Sequence, residues 1–562
     1  MHSPLIVLKF GGSVLLDEHR LRIAVHEIYR WRRDGYRVLA VVSALAGRTE
    51  ELIKRCDSLC ESASDLAKSA LISLGELESA SMLGIHLDRA GIPASVLTPA
   101  GVDLVAEGNP LDANLVSVCS DKIIASLETN GVVVFPGFVA MDGEGHAVTL
   151  GRGGSDLTAI FLGNALEADR CRLIKDVDGL YDRDPASSGP PPLRYGHANF
   201  DIALQTDGSI IQHKALRFAQ ERSFGFELGR FNGTRPTTIG AGETVIEDSP
   251  DPSTPLRIAL CGLGTVGSGV LDLAKQLPEL FEITGAACRT PNKHKDIATA
   301  IPGGIQGDAA SLASSDVDVV VELIGGIDLP LLIARNALAN QSHFVTANKA
   351  LIAEQGGVIE QLAEHSRRRV LASASVGGVT PVLESLDLGK VQSIKGVLNG
   401  TGNFILGALE AGTNLADATK EAQRLGFAEA DPSRDLDGRD SLDKLLVIAR
   451  KLGWSIPEGS ISRESISDWA EQSPTVNSVK HIASVSQDSA SVRVEQVDPV
   501  SELGQLRNEW NAAIIEFEDG SQQVVRGKGA GRWPTSESVF ADLLELSRER
   551  CSEGGFREVK NG

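Results

Sequence analysis

Short apolar runs alternate with longer segments of helical periodicity along almost the whole chain. Runs such as LIVLKF, VLAVVSA, VVVFPGF, DVVVELIG and HFVTAN have the length of buried strands. Strands that alternate with helices favour parallel sheets covered by helices, so an α/β fold is predicted. Two runs, LIVLKFGG and RIALCGLG, end in glycines, as strands do where a ligand binds at the carboxyl edge of a parallel sheet.

A segment rich in proline divides the chain into two halves. Residues 247–256, EDSPDPSTPL, contain three prolines and no periodicity, and an apolar strand pattern restarts after them. A chain of 562 residues exceeds the size of one hydrophobic core, so two or three domains are expected. We therefore predict a first domain at 1–246, a linker at 247–256 and a second half that begins at residue 257.

The composition narrows the classes of partner. A formal net charge of -21 at pH 7 argues against nucleic acid and anionic membranes as partners. The seven cysteines form no CxxC pair, which indicates reduced thiols and neither a disulfide framework nor a metal site. The amino terminus lacks a secretory pattern, and no apolar run approaches the ~18 residues of a membrane helix, so a cytoplasmic protein is expected.

A glycine-rich turn follows the first strand of the second half. RIALCGLGTVGSGVL places Gly262, Gly264 and Gly267 in the G-x-G-x-x-G spacing, before a predicted helix that includes Thr265 and Val266. Such glycines allow a tight turn, and the backbone N–H groups at the helix start bind a pyrophosphate. We interpret the segment as a dinucleotide site; the alternative is a glycine turn of another kind.

The end of the next predicted strand bears on which dinucleotide binds. NAD sites usually have an acidic residue there for the ribose hydroxyls, whereas this chain has Arg289, followed by Lys293. Basic side chains suit the 2′-phosphate of NADP, so NADP is favoured and NAD stays open. The alternative interpretation is a solvated basic loop.

An acidic stretch at residues 425–444 requires an explanation. LGFAEADPSRDLDGRDSLDK contains six carboxylates and a terminal lysine: Glu429, Asp431, Asp435, Asp437, Asp440, Asp443 and Lys444. Like charges repel, so the stretch is either a solvated surface or a site for a cationic group. Asp440 and Lys444 are four residues apart on a predicted helix, where a solvated pair stabilises by only ~0.3–0.5 kcal/mol. The residues of this helix predicted to face the core are Leu442, Leu445, Leu446 and Ala449.

Five motifs of the second half resemble the homoserine dehydrogenase family, in the family's order. They are VVVELIGG, FVTANKALIAEQG, GVLNGTGNFIL, LGFAEADPSRDLDGRDSLDK and GKGAGRWPTSESVFADL. The resemblance covers residues 257 to about 548 and implies reduction of aspartate 4-semialdehyde to L-homoserine with NADPH or NADH. The domains it implies are a Rossmann nucleotide-binding domain at 257–385, an α+β substrate and dimerisation domain at 386–505, a segment at 506–548 that returns to the nucleotide domain, and a tail at 549–562.

The resemblance assigns roles to individual residues of these motifs. Glu429 would bind the substrate ammonium group, and Asp440 and Lys444 would act at its reacting end. Lys349 matches a second family lysine that orients or protonates the substrate, and which lysine donates the proton stays open. The other residues implied are Asp435, Asn399, Gly400 and Thr401 for the substrate, and Lys349, Gly529 and Gly531 for the cofactor.

The chain departs from this family in SASVGGVTPVL, a loop expected near the cofactor, at Ser373 and Val379. The departure affects the expected cofactor preference more than the expected activity. The family also implies a homodimer or larger homo-oligomer, and it admits a monovalent cation near the nucleotide domain.

Four motifs of the first half resemble the amino acid kinase superfamily, and aspartokinases most closely. They are LIVLKFGGS, VVSALAGRTEEL, TLGRGGSDLTA and KDVDGLYDRDP. The resemblance implies a three-layer α/β domain that transfers a phosphoryl group from MgATP to L-aspartate, a reaction that depends on positioned charge. Lys9 would stabilise the transferring group, and Asp156 would organise Lys9. The other contacts implied are Thr49, Glu76, Arg152 and Ser155 for the substrate, and Gly11, Gly12, Ser13, Asp176 and Tyr181 for the nucleotide.

Three departures from the aspartokinase pattern bear on kinase activity. They are Val14 directly after FGGS, Ala186 after the Asp-Pro pair, and Ile210 in GSIIQHK at the position of a family lysine. Two cations expected around ATP are therefore absent from their usual places, and Lys175 or Lys214 is a candidate replacement. The alternative is a kinase fold that serves only assembly or stability.

The two resemblances together predict a bifunctional enzyme. Fused enzymes of this kind normally have ACT domains between their catalytic parts, and the ten-residue linker is too short for one. We therefore expect no feedback inhibition by threonine or lysine through ACT domains. The alternatives are a homoserine dehydrogenase with a non-catalytic kinase fold, and a nucleotide-sensing regulatory protein with two degenerate sites.

Overall fold

The computed structural model describes residues 3–60, 62–185, 192–206, 208, 210–248, 254–299, 301–425, 427–428, 431–472 and 478–552. The chain divides into two compact units, one consisting chiefly of Met1–Asp88 and Pro93–Pro252 and the other chiefly of Ser253–Glu549. Half of the predicted linker at 247–256, residues 249–253, lies outside the described residues. Within the described part of the chain, no helix is long and apolar enough to cross a membrane.

The first unit contains fourteen named strands among its described residues. They are Leu5–Phe10 (β1), Arg37–Val42 (β2), Ser95–Val96 (β3), Val105–Asn109 (β4), Asp112–Ser117 (β5), Val132–Pro136 (β6), Val139–Met141 (β7), Ala147–Thr149 (β8), Arg170–Lys175 (β9), Leu180–Tyr181 (β10), Arg194–Asn199 (β11), Phe226–Arg230 (β12), Thr237–Gly240 (β13) and Val245–Glu247 (β14). Its helices are Leu21–Arg33 (α1), Arg48–Leu59 (α2), Asp65–Ile72 (α3), Leu74–Ala90 (α4), Ser120–Asn130 (α5), Gly154–Ala165 (α6), Phe200–Leu204 (α7), His213–Arg222 (α8) and a 3₁₀ turn at Ala100–Val102.

A large twisted sheet forms the centre of the first unit. Its strand order is β10-β11-β13-β12-β9-β1-β2-β6-β3, with β14 paired to β11. The strands from β12 to β3 are parallel to their neighbours, so the carboxyl ends of β1 and β9 lie side by side. Helix α6 packs against both of these strands. A separate four-stranded sheet has the order β5-β4-β7-β8.

The second unit contains two six-stranded sheets. The strands are Leu256–Cys261 (β15), Phe281–Ala287 (β16), Ile305–Gln306 (β17), Val319–Glu322 (β18), His343–Thr346 (β19), Val370–Leu371 (β20), Val391–Val397 (β21), Ile461–Arg463 (β22), Val479–Ser486 (β23), Ser489–Gln496 (β24), Trp510–Phe517 (β25) and Gln522–Lys528 (β26). The helices are Thr265–Ala274 (α9), Lys295–Ala298 (α10), Ala309–Leu312 (α11), Asp328–Ala339 (α12), Lys349–Ser366 (α13), Val382–Ser385 (α14), Gly400–Glu410 (α15), Leu415–Leu425 (α16), Ser433–Leu436 (α17), Arg439–Lys451 (α18), Ile466–Gln472 (α19) and Arg532–Ser552 (α20), with 3₁₀ segments at Pro291–His294, Ser373–Ser375, Leu386–Leu388 and Glu458–Ser460.

The first of these sheets is parallel, and the second is largely antiparallel. The parallel sheet has the order β17-β16-β15-β18-β19-β20. The other has the order β22-β24-β23-β21-β25-β26, and only its β22–β24 pair is parallel. The predicted α/β architecture is therefore confirmed, whereas the individual domain bounds given above stay predictions.

Helix α18 joins the core of the second unit through one face. Leu445 and Ala449 are buried as predicted, together with Val447 and Ile448. The two other leucines predicted to face the core, Leu442 and Leu446, are only partly buried. The buried face fixes the position of the helix and hence of the polar residues near its amino end.

We predict that Leu445→Ala destabilises the second unit by about 2–5 kcal/mol, because the fully buried side chain would leave a cavity. Denaturant unfolding followed by circular dichroism measures the loss. The matched control is Leu332→Ala, the same substitution at a leucine that is 46% exposed on α12. Equal losses of stability for the two variants would contradict this role of α18.

Candidate active sites

A buried carboxylate near the start of α18 joins two lysines of the second unit. Asp440 is 4% exposed, and its Oδ2 lies 2.7 Å from Nζ of Lys444, one turn further along the helix. Its Oδ1 accepts a hydrogen bond from Nζ of Lys349, the first residue of α13. The sequence places Asp440 and Lys444 together, but only the tertiary fold brings Lys349 to them across 91 positions.

Asn399 links this trio to a second carboxylate. Its Nδ2 donates to Oδ1 of Asp435 at 2.7 Å and to Oδ2 of Asp440 at 2.8 Å. Its Oδ1 accepts from the backbone N–H of Gly402 at 2.6 Å and so caps α15. One side chain therefore caps helix α15 and orients both carboxylates.

Gly400 and Thr401, which follow Asn399 in the chain, lie beside these groups. Gly400 is the first residue of α15, and a Cβ there would lie 2.6 Å from the backbone oxygen of Glu509. The Thr401 hydroxyl donates to the carbonyl of Phe427 at 2.6 Å, which ties the start of α15 to the acidic stretch. Glu429, expected to bind the substrate ammonium group, lies outside the described residues, so that assignment stays a prediction.

Lys444 has a second partner that the sequence did not indicate. Its Nζ donates to the backbone carbonyl of Leu398 at 2.6 Å, and Nδ2 of Asn511 donates to the same oxygen at 3.1 Å. Asn511 is fully buried on β25, and its Oδ1 has no partner among the described residues. A single amide in the apolar strand WNAAIIEF was the available signal for this residue.

The charges of this site shift one another's pKa values. Burial would raise the pKa of Asp440, but Lys444 and Lys349 outweigh burial and hold it well below its usual range. Burial opposes charge on Lys349, yet Asp440, with a smaller contribution from Asp435, raises its pKa. The pKa of Asp435 is raised by burial and by the nearby Asp440. Asp440 is thus an anion and Lys349 a cation at neutral pH.

The glycine-rich turn lies between β15 and α9, as predicted. Gly262 has φ +113°, and a Cβ there would lie 2.6 Å from the backbone oxygen of Leu323. A Cβ at Gly267 would lie 1.9 Å from the carbonyl oxygen of Gly262, so both positions require glycine. Gly264 differs, because no atom lies within 4 Å of a Cβ built there. Next to it, Thr265 and Val266 open α9, whose amino end faces this space. The turn therefore has the open backbone that a pyrophosphate requires.

A buried glutamate of the VVVELIGG motif holds the neighbouring strand ends in place, through contacts that the sequence pattern did not indicate. Glu322, the last residue of β18, is fully buried. Its Oε1 accepts from the backbone N–H groups of Ile324 and Gly325 at 2.7 and 3.0 Å, and its Oε2 accepts from the Thr346 hydroxyl at 2.7 Å. Thr346 ends β19 three residues before Lys349. The same carboxylate thus orders the loop after β18 and the approach to Lys349.

The other residues expected around the cofactor also belong to the second unit. Arg289 and Lys293 follow β16 and are exposed. Gly529 passes close to the site, because a Cβ there would lie 1.7 Å from Nδ2 of Asn511, and Gly531 has φ +112°. The two positions that depart from the family, Ser373 and Val379, are both buried.

The first unit has its own buried carboxylate between two lysines. Asp156, near the start of α6, is 3% exposed, and its Oδ1 lies 2.6 Å from Nζ of Lys9. Nζ of Lys175 donates to its Oδ2 at 2.9 Å and to its Oδ1 at 3.2 Å. Burial lowers the pKa of Lys9 to about 8, with Asp156 opposing this and Lys175 adding to it. Burial would raise the pKa of Asp156, but the two lysines lower it to about 2.

The expected aspartate contacts of the first unit differ in burial. Glu76 is buried, its Oε1 accepts from the N–H of Ala44 at 3.3 Å, and its Oε2 has no partner among the described residues. Burial raises the pKa of Glu76 to about 7. Ser155 is buried, whereas Thr49 is half-buried and Arg152 is exposed.

The expected nucleotide contacts lie on the loops after β1 and β9 and, for Tyr181, on β10. A Cβ at Gly11 would lie 3.1 Å from Nζ of Lys9, so the chain passes close to that ammonium. Gly12 is half-buried, and Ser13 and Asp176 are exposed. The Tyr181 hydroxyl donates to Oδ1 of Asp178 at 2.9 Å. Of the departures, Ile210 is partly buried against the core, Val14 is buried, and Ala186 lies outside the described residues.

Comparison with known families agrees with both resemblances. Residues 4–223 match the amino acid kinase family, residues 262–373 match the NAD-binding domain of homoserine dehydrogenase, and residues 379–544 match the homoserine dehydrogenase family. The fold and the matches define an NAD(P)-dependent oxidoreductase fused to an amino acid kinase domain.

The relatives specify the oxidoreductase. Homoserine dehydrogenase of Pseudomonas aeruginosa is 34% identical over 325 residues, which are 53% of this chain and 74% of that protein. The enzyme of Corynebacterium glutamicum is 32% identical over 54% of this chain and 74% of its own length. A homoserine dehydrogenase structure from Thiobacillus denitrificans has a TM-score of 0.49 and 29% identity, and the match covers 54% of this chain and 75% of that one. The chain belongs to the homoserine dehydrogenase family, which confirms the prediction made from its motifs.

We predict opposite behaviour for alanine at two glycines of the turn. Gly264→Ala folds normally because its Cβ meets no protein atom, but it weakens NADPH binding by about tenfold or more where the pyrophosphate approaches. Gly267→Ala distorts the turn against the Gly262 carbonyl and loses both thermal stability and NADPH binding. Thermal unfolding and NADPH fluorescence titration measure the two effects. Unchanged NADPH affinity in Gly264→Ala would contradict this position for the pyrophosphate.

Proposed function

We propose that the second unit reduces aspartate 4-semialdehyde to L-homoserine with NADPH or NADH, and that the first unit transfers a phosphoryl group from MgATP to L-aspartate. The observation that carries the first activity is Asp440, buried between Lys349 and Lys444 beside Asn399. The observation that carries the second is Asp156, buried between Lys9 and Lys175. The two reactions are not consecutive, because the acyl phosphate has to be reduced to the aldehyde between them.

The dehydrogenase reaction needs a cation where negative charge develops. When bound, NAD(P)H supplies the hydride that converts the aldehyde carbonyl to an alkoxide. Lys444, held by Asp440 and the Leu398 carbonyl, donates a proton to that oxygen. Asp435 offers a polar contact to the substrate, and Glu429 pairs with its ammonium group.

The surroundings of the two lysines favour Lys444 as the proton donor. The Lys444 side chain is only 7% exposed, so the proton transfer is shielded from water. The Lys349 side chain is 36% exposed, and neighbouring carboxylates raise its pKa, which makes it a stable cation and a poor acid. We therefore assign orientation of the substrate oxygen to Lys349.

The turn at Gly264 supports dinucleotide binding, and the basic residues after β16 favour NADP over NAD. The open backbone at Gly264 would hold the pyrophosphate, and Gly529 and Gly531 are the residues that the resemblance assigns to the nicotinamide end. The exposed side chains of Arg289 and Lys293 suit a 2′-phosphate. A monovalent cation, which the resemblance admits, enters no step of this mechanism.

In the kinase reaction, a carboxylate oxygen of aspartate attacks the γ-phosphorus of ATP. The bond from that phosphorus to the β–γ bridging oxygen breaks, ADP leaves with the electron pair, and no proton moves. Lys9 stabilises the transferring group, with Asp156 holding its ammonium. Glu76, Ser155, Thr49 and Arg152 contact aspartate, and the Gly11–Ser13 and Asp176–Tyr181 segments contact MgATP.

A kinase fold without catalysis is the second candidate for the first unit. The observation that favours it is the absence of the family lysine at Ile210, whose partly buried side chain packs against the core. In either case we propose a cytoplasmic homodimer or larger homo-oligomer, which light scattering on the purified protein tests.

We predict that Lys444→Ala lowers kcat for aldehyde reduction by about 10²–10⁴, because it removes the general acid. NADPH affinity stays within about twofold of wild type, since Lys444 contacts the reacting end of the substrate and not the dinucleotide turn. Stopped-flow turnover and NADPH titration measure the two quantities. The matched control is Lys451→Ala, an exposed lysine at the end of the same helix. Wild-type turnover in Lys444→Ala would refute the assignment.

We predict that the full-length protein forms aspartyl hydroxamate from ATP, aspartate and hydroxylamine, and that Lys9→Ala lowers this rate by about 100-fold or more. Removing the buried cation leaves charge on the transferring group unbalanced. Lys122→Ala is the control, because that lysine is 48% exposed and pairs only with Asp103 among the described residues. No hydroxamate from a preparation with intact homoserine dehydrogenase activity would make the first unit a scaffold.

A further inference from the structure

The two oxygens of Asp156 divide their contacts between two lysines from adjacent strands. Lys9 is the last residue but one of β1, Lys175 is the last residue of β9, and β1 and β9 are parallel neighbours. Oδ1 of Asp156 lies 2.6 Å from Nζ of Lys9, and its Oδ2 lies 2.9 Å from Nζ of Lys175. Both ammonium groups therefore lie at the carboxyl edge of the sheet, next to the glycine turn at Gly11.

The charge balance of this group gives Lys175 a role. Lys9 and Asp156 alone form a neutral pair, which offers no net attraction to an anion. With Lys175 the trio carries one net positive charge, and all three side chains are at most 12% exposed. A phosphoryl group in transfer spreads negative charge over three equatorial oxygens, so a second cation is what its stabilisation requires.

Lys214, the other lysine that the sequence left as a replacement, is already engaged. Its Nζ donates to Oδ1 of Asp112 at 2.7 Å, to the carbonyl of Ala113 at 2.8 Å and to the carbonyl of Leu150 at 3.0 Å. An ammonium has three protons, and these three acceptors use all of them. The ammonium of Lys175 contacts only Asp156 within the described part of the chain, which leaves it hydrogen-bonding capacity for a ligand.

We propose that Lys175 is the second cation on the transferring phosphoryl group, in place of the lysine that is absent at Ile210. The proposal rests on the kinase function proposed above and names a catalytic residue of that site. Lys175 contacts the phosphoryl oxygens throughout the transfer described above, while Asp156 fixes its distance from Lys9.

The charge of Lys175 affects the pKa of Lys9, so its removal changes the pH dependence of kinase activity. Loss of a purely structural residue would not change that pH dependence. The charged groups that face Lys9 are Asp156 on α6, Lys175 on β9 and Glu76 on α4. Burial and the charge of Lys175, opposed by Asp156, together lower the pKa of Lys9 to about 8. Kinase activity needs Lys9 protonated and therefore declines above about pH 8. Removing the charge of Lys175 raises the pKa of Lys9 and moves this decline to higher pH.

The experiment compares Lys175→Met, Lys175→Arg and Lys214→Met in the full-length protein, with the hydroxamate assay across pH 6–10. We expect about a 100-fold loss of kcat in Lys175→Met, partial recovery in Lys175→Arg, and a shift of the alkaline decline to higher pH. Calorimetry should show that Lys175→Met weakens binding of a non-hydrolysable ATP analogue more than binding of ADP. Lys214→Met keeps kcat within a few-fold of wild type. Homoserine dehydrogenase turnover and thermal unfolding of each preparation check folding.

The outcomes separate this proposal from the kinase proposal. Wild-type protein that forms no hydroxamate overturns the kinase function and this assignment with it. Active wild type with kcat of Lys175→Met within threefold overturns the assignment alone. An equal loss in Lys214→Met, or equal weakening of ADP and the ATP analogue by Lys175→Met, overturns it as well.

Discussion

A buried carboxylate clamped between two lysine ammonium groups is the interaction around which each unit's candidate site is organised. Asp440 joins Lys349 to Lys444, and Asp156 joins Lys9 to Lys175. Burying one lysine alone would be unfavourable, and two together would repel, so the carboxylate makes the arrangement stable. Removing it would leave like charges buried and cost about 3–5 kcal/mol. The two units thus reach one electrostatic solution with unrelated elements.

Each carboxylate and its two lysines together carry one net positive charge, and this charge suits the reaction proposed for each unit. Hydride transfer to an aldehyde creates a negative oxygen, and phosphoryl transfer spreads negative charge over three oxygens. A cation held in place by the protein stabilises such charge without reorganisation at the moment of reaction. The shifted pKa values follow from the same arrangement, because the lysines keep Asp440 and Asp156 ionised despite their burial.

Local patterns predicted much of the fold and part of each site. The strands, the glycine turn and the helical pair Asp440–Lys444 follow from spacings of a few residues, which sequence displays directly. The meeting of Lys349 with Asp440 does not, because it depends on how α13 and α18 pack. The contact between Lys444 and the Leu398 carbonyl was also unpredictable, since a backbone oxygen has no sequence signature. Contacts within one element were therefore easier to predict than contacts between elements.

The kinase unit shows why a missing motif residue is weak evidence for a missing charge. When the chain is compared with the aspartokinase pattern position by position, Ile210 stands where the family has a lysine, so a cation is counted as lost. An ammonium is a flexible point charge on a long stem, so a neighbouring strand can deliver it to the same place. Lys175 reaches Asp156 from the end of β9, whereas Lys214, closer in sequence to Ile210, is fixed on Asp112 and two carbonyls. What the site has to conserve is the net charge around Asp156, and that quantity is set by the tertiary structure.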